Sequence, residues 1–234
     1  MDYEVSLDIR ENIAWITIPK YESSPSSMFR MASTFKLVCQ KASQNESIRV
    51  AIITGTQNEF FISDQAWPFV EIETATRREV DTIRRFIHEA QIAQTVADME
   101  IPILAAINGP AVGQGLEIAL ACDIRLATTD AKFQLPQINF GFLPWDGGTQ
   151  RLPRIIGRAH AIELLLTGRE IDAEEALNIS MIHQIVQPNQ LINQIRKLAE
   201  IIAHRAPIAT RYAKEAILKG MDLPLASGLR LETD

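Results

Sequence analysis

A short turn flanked by glycines, Gly113-Gln114-Gly115, comes directly before an apolar segment that contains a single acid, Glu117. Glycines let the backbone turn sharply and approach a ligand closely. A helix starting here would point its first N–H groups and its positive dipole end at whatever lies beyond the turn. The pattern predicts a site for an anion or a developing oxyanion, although a simple tight strand-to-helix turn is an open alternative.

Glu117 is a candidate acid/base because its neighbours, Leu116 and residues 118–121, are all apolar. Burying a carboxylate is costly unless it is paired, and burial raises its pKa toward the range in which it can exchange protons. A simpler interpretation is that Glu117 complements the helix dipole. A dinucleotide site is poorly supported, since Ile118 stands where the Gly-x-Gly-x-x-Gly fingerprint needs its third glycine.

The elements that must position this turn alternate between strands and helices. Apolar runs predict a hairpin of residues 3–7 with 13–18, and further strands at 50–55, 103–107 and 124–127. Helical spacing predicts one helix over 28–42, one long helix over 71–99, one over 116–122 and a mostly helical final third. This order predicts an α/β fold with ligands at the carboxyl ends of strands.

The composition limits the class of protein. The chain has 234 residues, 47% hydrophobic and 22% charged, which is typical of one globular core. Its net charge of −6 disfavours nucleic acid, so an RNA-binding function is the least favoured interpretation. Without a long apolar run or a signal-peptide pattern, we expect a cytoplasmic protein that does not contact membranes. The two cysteines, Cys39 and Cys122, fit neither a disulfide framework nor a metal site, and are expected to be packing residues.

Several segments together resemble the core motifs of the crotonase (enoyl-CoA hydratase/isomerase) superfamily. They are residues 101–109, 113–117, 121–125, 147–157 and 164–168. The resemblance implies a crotonase-like spiral of ββα units over residues 1–195. It also implies a helical C-terminal region over residues 196–234, apparently shortened, that assembles the chain into a homotrimer or hexamer.

The resemblance further implies an acyl-CoA-processing enzyme, with coenzyme A as the carrier of the substrate and no permanently bound cofactor or metal. Two backbone N–H groups would stabilise the oxygen of a thioester enolate, and they map to Gln114 and Gln65. The loop around Gln65 departs from the family's pattern, because Asp64 replaces a glycine and Ala66 an aspartate. The substrate site would be lined by Ser63, Asp64, Trp67, Gly113, Pro136 and Trp145.

Typical hydratases of this family use two glutamates, and this chain carries one of them. Glu117 matches the first, whereas Gln137 occupies the second position, and a carboxamide is not an acid or base at neutral pH. Asp146 could supply the missing carboxylate or could cap a local turn.

The expected activity is enoyl-CoA hydration or isomerisation in fatty acid metabolism, with Glu117, Gln137 and Asp146 as the catalytic set. The alternative is a catalytically weak or inactive acyl-CoA-binding homologue with an assembly role, which the glutamine at position 137 motivates.

Overall fold

The computed structural model describes residues 4–20, 25–56, 59–62 and 76–232. Its strands are β1 (Ser6–Arg10), β2 (Ile13–Ile18), β3 (Val50–Gly55), β4 (Phe61–Ile62), β5 (Ile103–Ile107), β6 (Ala111–Val112), β7 (Ile124–Thr128), β8 (Lys132–Gln134), β9 (Ile171–Asp172) and β10 (Gln184–Val186). Its helices are α1 (Pro25–Gln44), α2 (Arg77–Ala90), α3 (Ala93–Ala97), α4 (Gln114–Ala121), α5 (Gly148–Ile156), α6 (Arg158–Thr167), α7 (Ala173–Asn178), α8 (Leu191–Ala203), α9 (Pro207–Gly220) and α10 (Leu225–Gly228). Short 3₁₀ segments lie at Pro136–Phe140, Pro188–Gln190 and Leu229–Glu232.

The larger sheet has the strand order β1-β2-β3-β5-β7-β10. The hairpin of β1 and β2 is antiparallel, and the remaining pairs are parallel. Glu11 and Asn12 turn the hairpin with φ of 49° and 66°, a left-handed conformation that asparagine adopts more readily than most residues. All of β5 is buried, because α1, α3 and α4 pack on one face of the sheet and α8 on the other.

A second sheet, of order β4-β6-β8-β9, is built from strands of two or three residues. β4 and β6 are parallel, with Phe61 opposite Ala111 and Ile62 opposite Val112. The carboxyl ends of β4 and β6 therefore lie at the same edge of the sheet. The sequence did not predict this sheet, because strands this short carry no recognisable period.

The predicted α/β class, with its mostly helical final third, is confirmed, but the single helix predicted over residues 71–99 is wrong. Residues 71–75 lie outside the described residues, and beyond them α2 ends at Ala90 and α3 begins at Ala93. A distant residue stabilises this break, since the N–H groups of Ile92 and Ala93 donate to the Asp146 carboxylate. The opening strand lies at Ser6–Arg10 rather than at residues 3–7, and α5 has no counterpart among the sequence predictions.

The C-terminal helices lie on the outside of the molecule. α9 has no buried residue, and Ile208 and Ile217 on it are 69% and 66% exposed. Lys214 anchors α9 by an ion pair of 2.9 Å with Asp123. The predicted division between residues 195 and 196 falls within α8, and it stays a prediction. Within the described ranges, no helix has both the length and the apolar character needed to cross a membrane.

Candidate active site

The glycine turn before α4 has a conformation that requires glycine. Gly113 has φ 60° and ψ −122°, and its carbonyl accepts the N–H groups of Leu116 and Glu117. A Cβ on Gly115 would lie 1.9 Å from the carbonyl oxygen of Phe61, so only glycine lets α4 begin against the end of β4. The first turn of α4 thus lies against the carboxyl ends of β4 and β6.

Glu117 is completely buried in the first turn of α4. Its Oε1 accepts the main-chain N–H groups of Asp146 and Gly148, each over 2.8 Å. Oε2 is also buried, and it has no hydrogen-bond partner in the described part of the chain. One carboxyl oxygen is therefore fixed by the protein, while the other is not held by any described residue.

The surroundings of Glu117 raise its pKa to about 8, from an ordinary value of 4.5. Burial is the largest cause, and the negative charge of Asp146 adds to it. The N–H groups of Gly148 and Asp146 and the guanidinium of Arg151 lower the pKa, but they do not cancel the effect of burial. A carboxyl group with this pKa can accept and return a proton near neutral pH.

The Gln137 side chain is also buried, at 1% exposure, in the 3₁₀ segment Pro136–Phe140. Neither its carboxamide nitrogen nor its carboxamide oxygen has a hydrogen-bond partner among the described residues. Leaving a buried polar group unpaired costs about 1–3 kcal/mol, so such groups are usually completed by water or by a ligand. Pro136, predicted to line the site, is buried next to Gln137.

Asp146 makes the contacts of a carboxylate that caps a helix start. Its Oδ2 accepts the N–H groups of Ile92 (2.7 Å) and Ala93 (2.8 Å), where α3 begins. The same oxygen accepts the side-chain Nε2 of Gln114 over 2.8 Å. Asp146 is 3% exposed, so these bonds lie out of contact with bulk water.

The structure thus brings together Gly113, Gln114, Glu117 and Asp146 among the predicted site residues. Trp145 directly precedes Asp146, and its carbonyl accepts Gln91 Nε2 over 2.7 Å. Pro136 and Gln137 lie in the 3₁₀ segment that follows β8. The other predicted residues lie outside the described ranges: Ser63, Asp64, Gln65 and Trp67.

Two contributors to the site were missed from the sequence. Gly148 is the first residue of α5, so a second helix also points its N-terminus at Glu117. Arg151 donates from Nη1 to the Asp146 carbonyl over 2.8 Å, and a Cβ on Gly147 would lie 1.9 Å from that nitrogen. The pair Gly147-Gly148 followed by a polar turn was the available signal, because two adjacent glycines indicate a close approach of the backbone.

Comparison with known proteins agrees with this fold. Residues 8–234 match the family described as enoyl-CoA hydratase/isomerase. The putative enoyl-CoA hydratase/isomerase YngF of Bacillus subtilis is 36% identical over 223 residues, which are 95% of this chain and 84% of that protein. The (E)-benzylidenesuccinyl-CoA hydratase of Thauera aromatica is 36% identical over 229 residues, or 96% of this chain and 86% of that protein.

A solved structure, the enoyl-CoA hydratase of Bacillus anthracis, superimposes with a TM-score of 0.86 at 32% identity, covering 98% of this chain and 88% of that chain. The fold and the matches define an acyl-CoA-processing enzyme with the crotonase fold. The chain belongs to the enoyl-CoA hydratase/isomerase family.

Proposed function

We propose that this enzyme hydrates or isomerises the double bond of an enoyl-CoA with Glu117 as its acid/base. The observation that carries the proposal is the state of the Glu117 carboxyl. Oε1 is held by two N–H groups, whereas the buried Oε2 has no partner in the described ranges. Its pKa of about 8 suits a group that takes up a proton and then returns it.

The oxyanion hole is proposed to consist of the N–H groups of Gln114 and Gln65. Gln114 is the first residue of α4, whose N-terminus favours negative charge. The parallel pairing of β4 with β6 supports the second donor, because the carboxyl ends of both strands lie at one edge of the sheet, and Gln65 and Gln114 follow these ends by two or three residues in the sequence. Both donors would then face one thioester oxygen.

In hydration, the oxygen of a water molecule bonds to the β-carbon while Glu117 takes the water's proton. The electron pair of the double bond moves to the α-carbon and the thioester oxygen, and Glu117 then returns the proton to the α-carbon. In isomerisation, Glu117 takes a proton from the α-carbon and returns it to the γ-carbon. Either reaction needs one carboxyl group, and the Gln137 amide would orient the water or the substrate by hydrogen bonds.

The substrate is proposed to be a short or ring-containing enoyl-CoA. Two relatives support this class, since one is named (E)-benzylidenesuccinyl-CoA hydratase and another, from Clostridium acetobutylicum, short-chain-enoyl-CoA hydratase. Trp145 and Trp67 would supply flat apolar walls for such an acyl group. We also propose that the chain assembles into a homotrimer or hexamer, which the exposed apolar side chains of α9 support. The proposed location is the cytoplasm.

Turnover of a panel of enoyl-CoA thioesters tests the proposal. We expect Glu117→Gln to lose at least about 100-fold in kcat, because a carboxamide cannot exchange the proton. Glu174→Gln is the matched control, since Glu174 is an exposed glutamate in the first turn of another helix, α7. Tight binding of CoA thioesters with no turnover of any member would instead favour an inactive binding homologue, which the glutamine at position 137 motivates.

A further inference from the structure

Asp146 makes hydrogen bonds to three helices around the candidate site, α3, α4 and α5. Its main-chain N–H holds Glu117 Oε1, and its main-chain carbonyl accepts Arg151. Its carboxylate caps the start of α3 and also accepts Gln114 Nε2. One residue therefore contacts both the proposed acid/base and the residue of the proposed oxyanion hole.

Gln114 and Glu117 are three residues apart in the first turn of α4, so both project from the same face of the helix. Asp146 contacts that face twice, once through its side chain and once through its main chain. Gln114 Nε2 also donates to the Ala90 carbonyl over 2.7 Å, which ties the end of α2 to the same cluster. Buried polar groups that are connected in this way restrict one another's positions.

We infer that Asp146 is a positioning residue, which fixes the position of the Glu117 carboxyl relative to the main-chain N–H of Gln114. It is not a second proton-transferring carboxylate. The inference rests on the proposed function for its kinetic consequences. Three N–H donors converge on Oδ2 of Asp146. These three hydrogen bonds occupy Oδ2 and fix the orientation of the carboxylate.

Two charged groups act on the Glu117 carboxyl from neighbouring segments. Asp146, in the segment before α5, raises its pKa, and Arg151, on α5, lowers it. Removing the charge of Asp146 should therefore lower the pKa of Glu117.

The first experiment follows the carbon-13 signal of the Glu117 carboxyl against pH, with the signal assigned by its loss in Glu117→Gln. We expect a wild-type midpoint near 8 and a lower midpoint in Asp146→Asn. Asp172→Asn is the matched control, because Asp172 also accepts a helix N–H, that of Glu175 over 2.9 Å, on the exposed surface. This experiment requires no turnover, and an unchanged midpoint in Asp146→Asn overturns the inference.

A second variant, Gln114→Met, keeps the charge of Asp146 and removes the side-chain hydrogen bonds of Gln114 to Asp146 and Ala90. We expect amide hydrogen exchange at Asp146 and Gly148 to become at least about 10-fold faster, with exchange in α7 unchanged. Unchanged exchange at Asp146 and Gly148 overturns the inference, even if Asp146→Asn does not fold.

Kinetics then separate positioning from proton transfer. We expect each single variant to lower kcat about 10-fold with little change in KM. The double variant Gln114→Met/Asp146→Asn should have a kcat no lower than that of the less active single variant, because both substitutions disrupt the same contact. Proton transfer would be assigned to Asp146 if Asp146→Asn were as inactive as Glu117→Gln and the titration midpoint of Glu117 were unchanged. An absence of turnover in the wild type would remove the proposed function, and the carbon-13 titration would still decide the role of Asp146.

Discussion

The main-chain N–H of Gly148 donates to Glu117 Oε1 over 2.8 Å, and a Cβ on Gly148 would lie 3.0 Å from the same oxygen. The hydrogen bond thus depends on the absence of a side chain at residue 148, because an added methyl group would occupy the space between residue 148 and Glu117. The same Cβ would lie 2.8 Å from the Cβ of Pro144. The N-terminus of α5 reaches the buried carboxyl only because residue 148 is glycine.

Gly148→Ala should weaken both the fold and the site. The added methyl group must displace Pro144 or the Glu117 carboxyl, so we expect a loss of about 1–3 kcal/mol in the free energy of unfolding and about a 10-fold loss in kcat. Urea denaturation and steady-state kinetics measure the two effects. Gly220→Ala is the control, because nothing lies within 4 Å of a Cβ at that position. Wild-type values in Gly148→Ala would show that the close approach is not required.

Stability should depend on pH through Glu117. Its pKa is 4.5 in an ordinary setting and about 8 in the fold, so between these values the folded chain holds a proton that the unfolded chain has lost. The free energy of unfolding therefore falls as pH rises through this window and levels off above it. We expect a loss of about 2 kcal/mol between about pH 6 and about pH 8 relative to Glu117→Gln, measured by urea denaturation. Parallel pH curves for the two proteins would contradict the raised pKa.

Gln137→Met should stabilise the protein and impair turnover. The wild-type carboxamide has no hydrogen-bond partner among the described residues, so replacing it by an apolar group of similar size removes an unpaired buried group. We expect a gain of about 1 kcal/mol in the free energy of unfolding together with a lower kcat.

Gln134→Met is the control for this prediction. Gln134 Nε2 donates to the Gly168 carbonyl over 2.7 Å, so its loss should destabilise the protein. Destabilisation by Gln137→Met, or full activity without the carboxamide, would contradict a ligand-directed role for Gln137.

The features that the sequence predicted correctly are those that depend on residues close together in the chain. β2, β3 and β5 follow from their apolar runs, and Glu117 stands out because it is an acid in an apolar helix. The break between α2 and α3 is not local, since the carboxylate that accepts both N–H groups there is more than 50 residues further along the chain. The N–H donors to Glu117 likewise come from residues 29 and 31 positions away. Such contacts form only in the assembled fold, so they cannot be predicted from the spacing of apolar residues along the sequence.

The most direct test of the central claim is the exchange of the α-proton of an acyl-CoA into heavy water, followed by mass spectrometry. Both hydration and isomerisation pass through removal or return of this proton, so the measurement does not depend on which reaction the enzyme prefers. We expect exchange in the wild type and in Glu174→Gln, and a rate at least about 100-fold lower in Glu117→Gln. Equal rates in the wild type and Glu117→Gln would contradict the assignment of Glu117 as the acid/base.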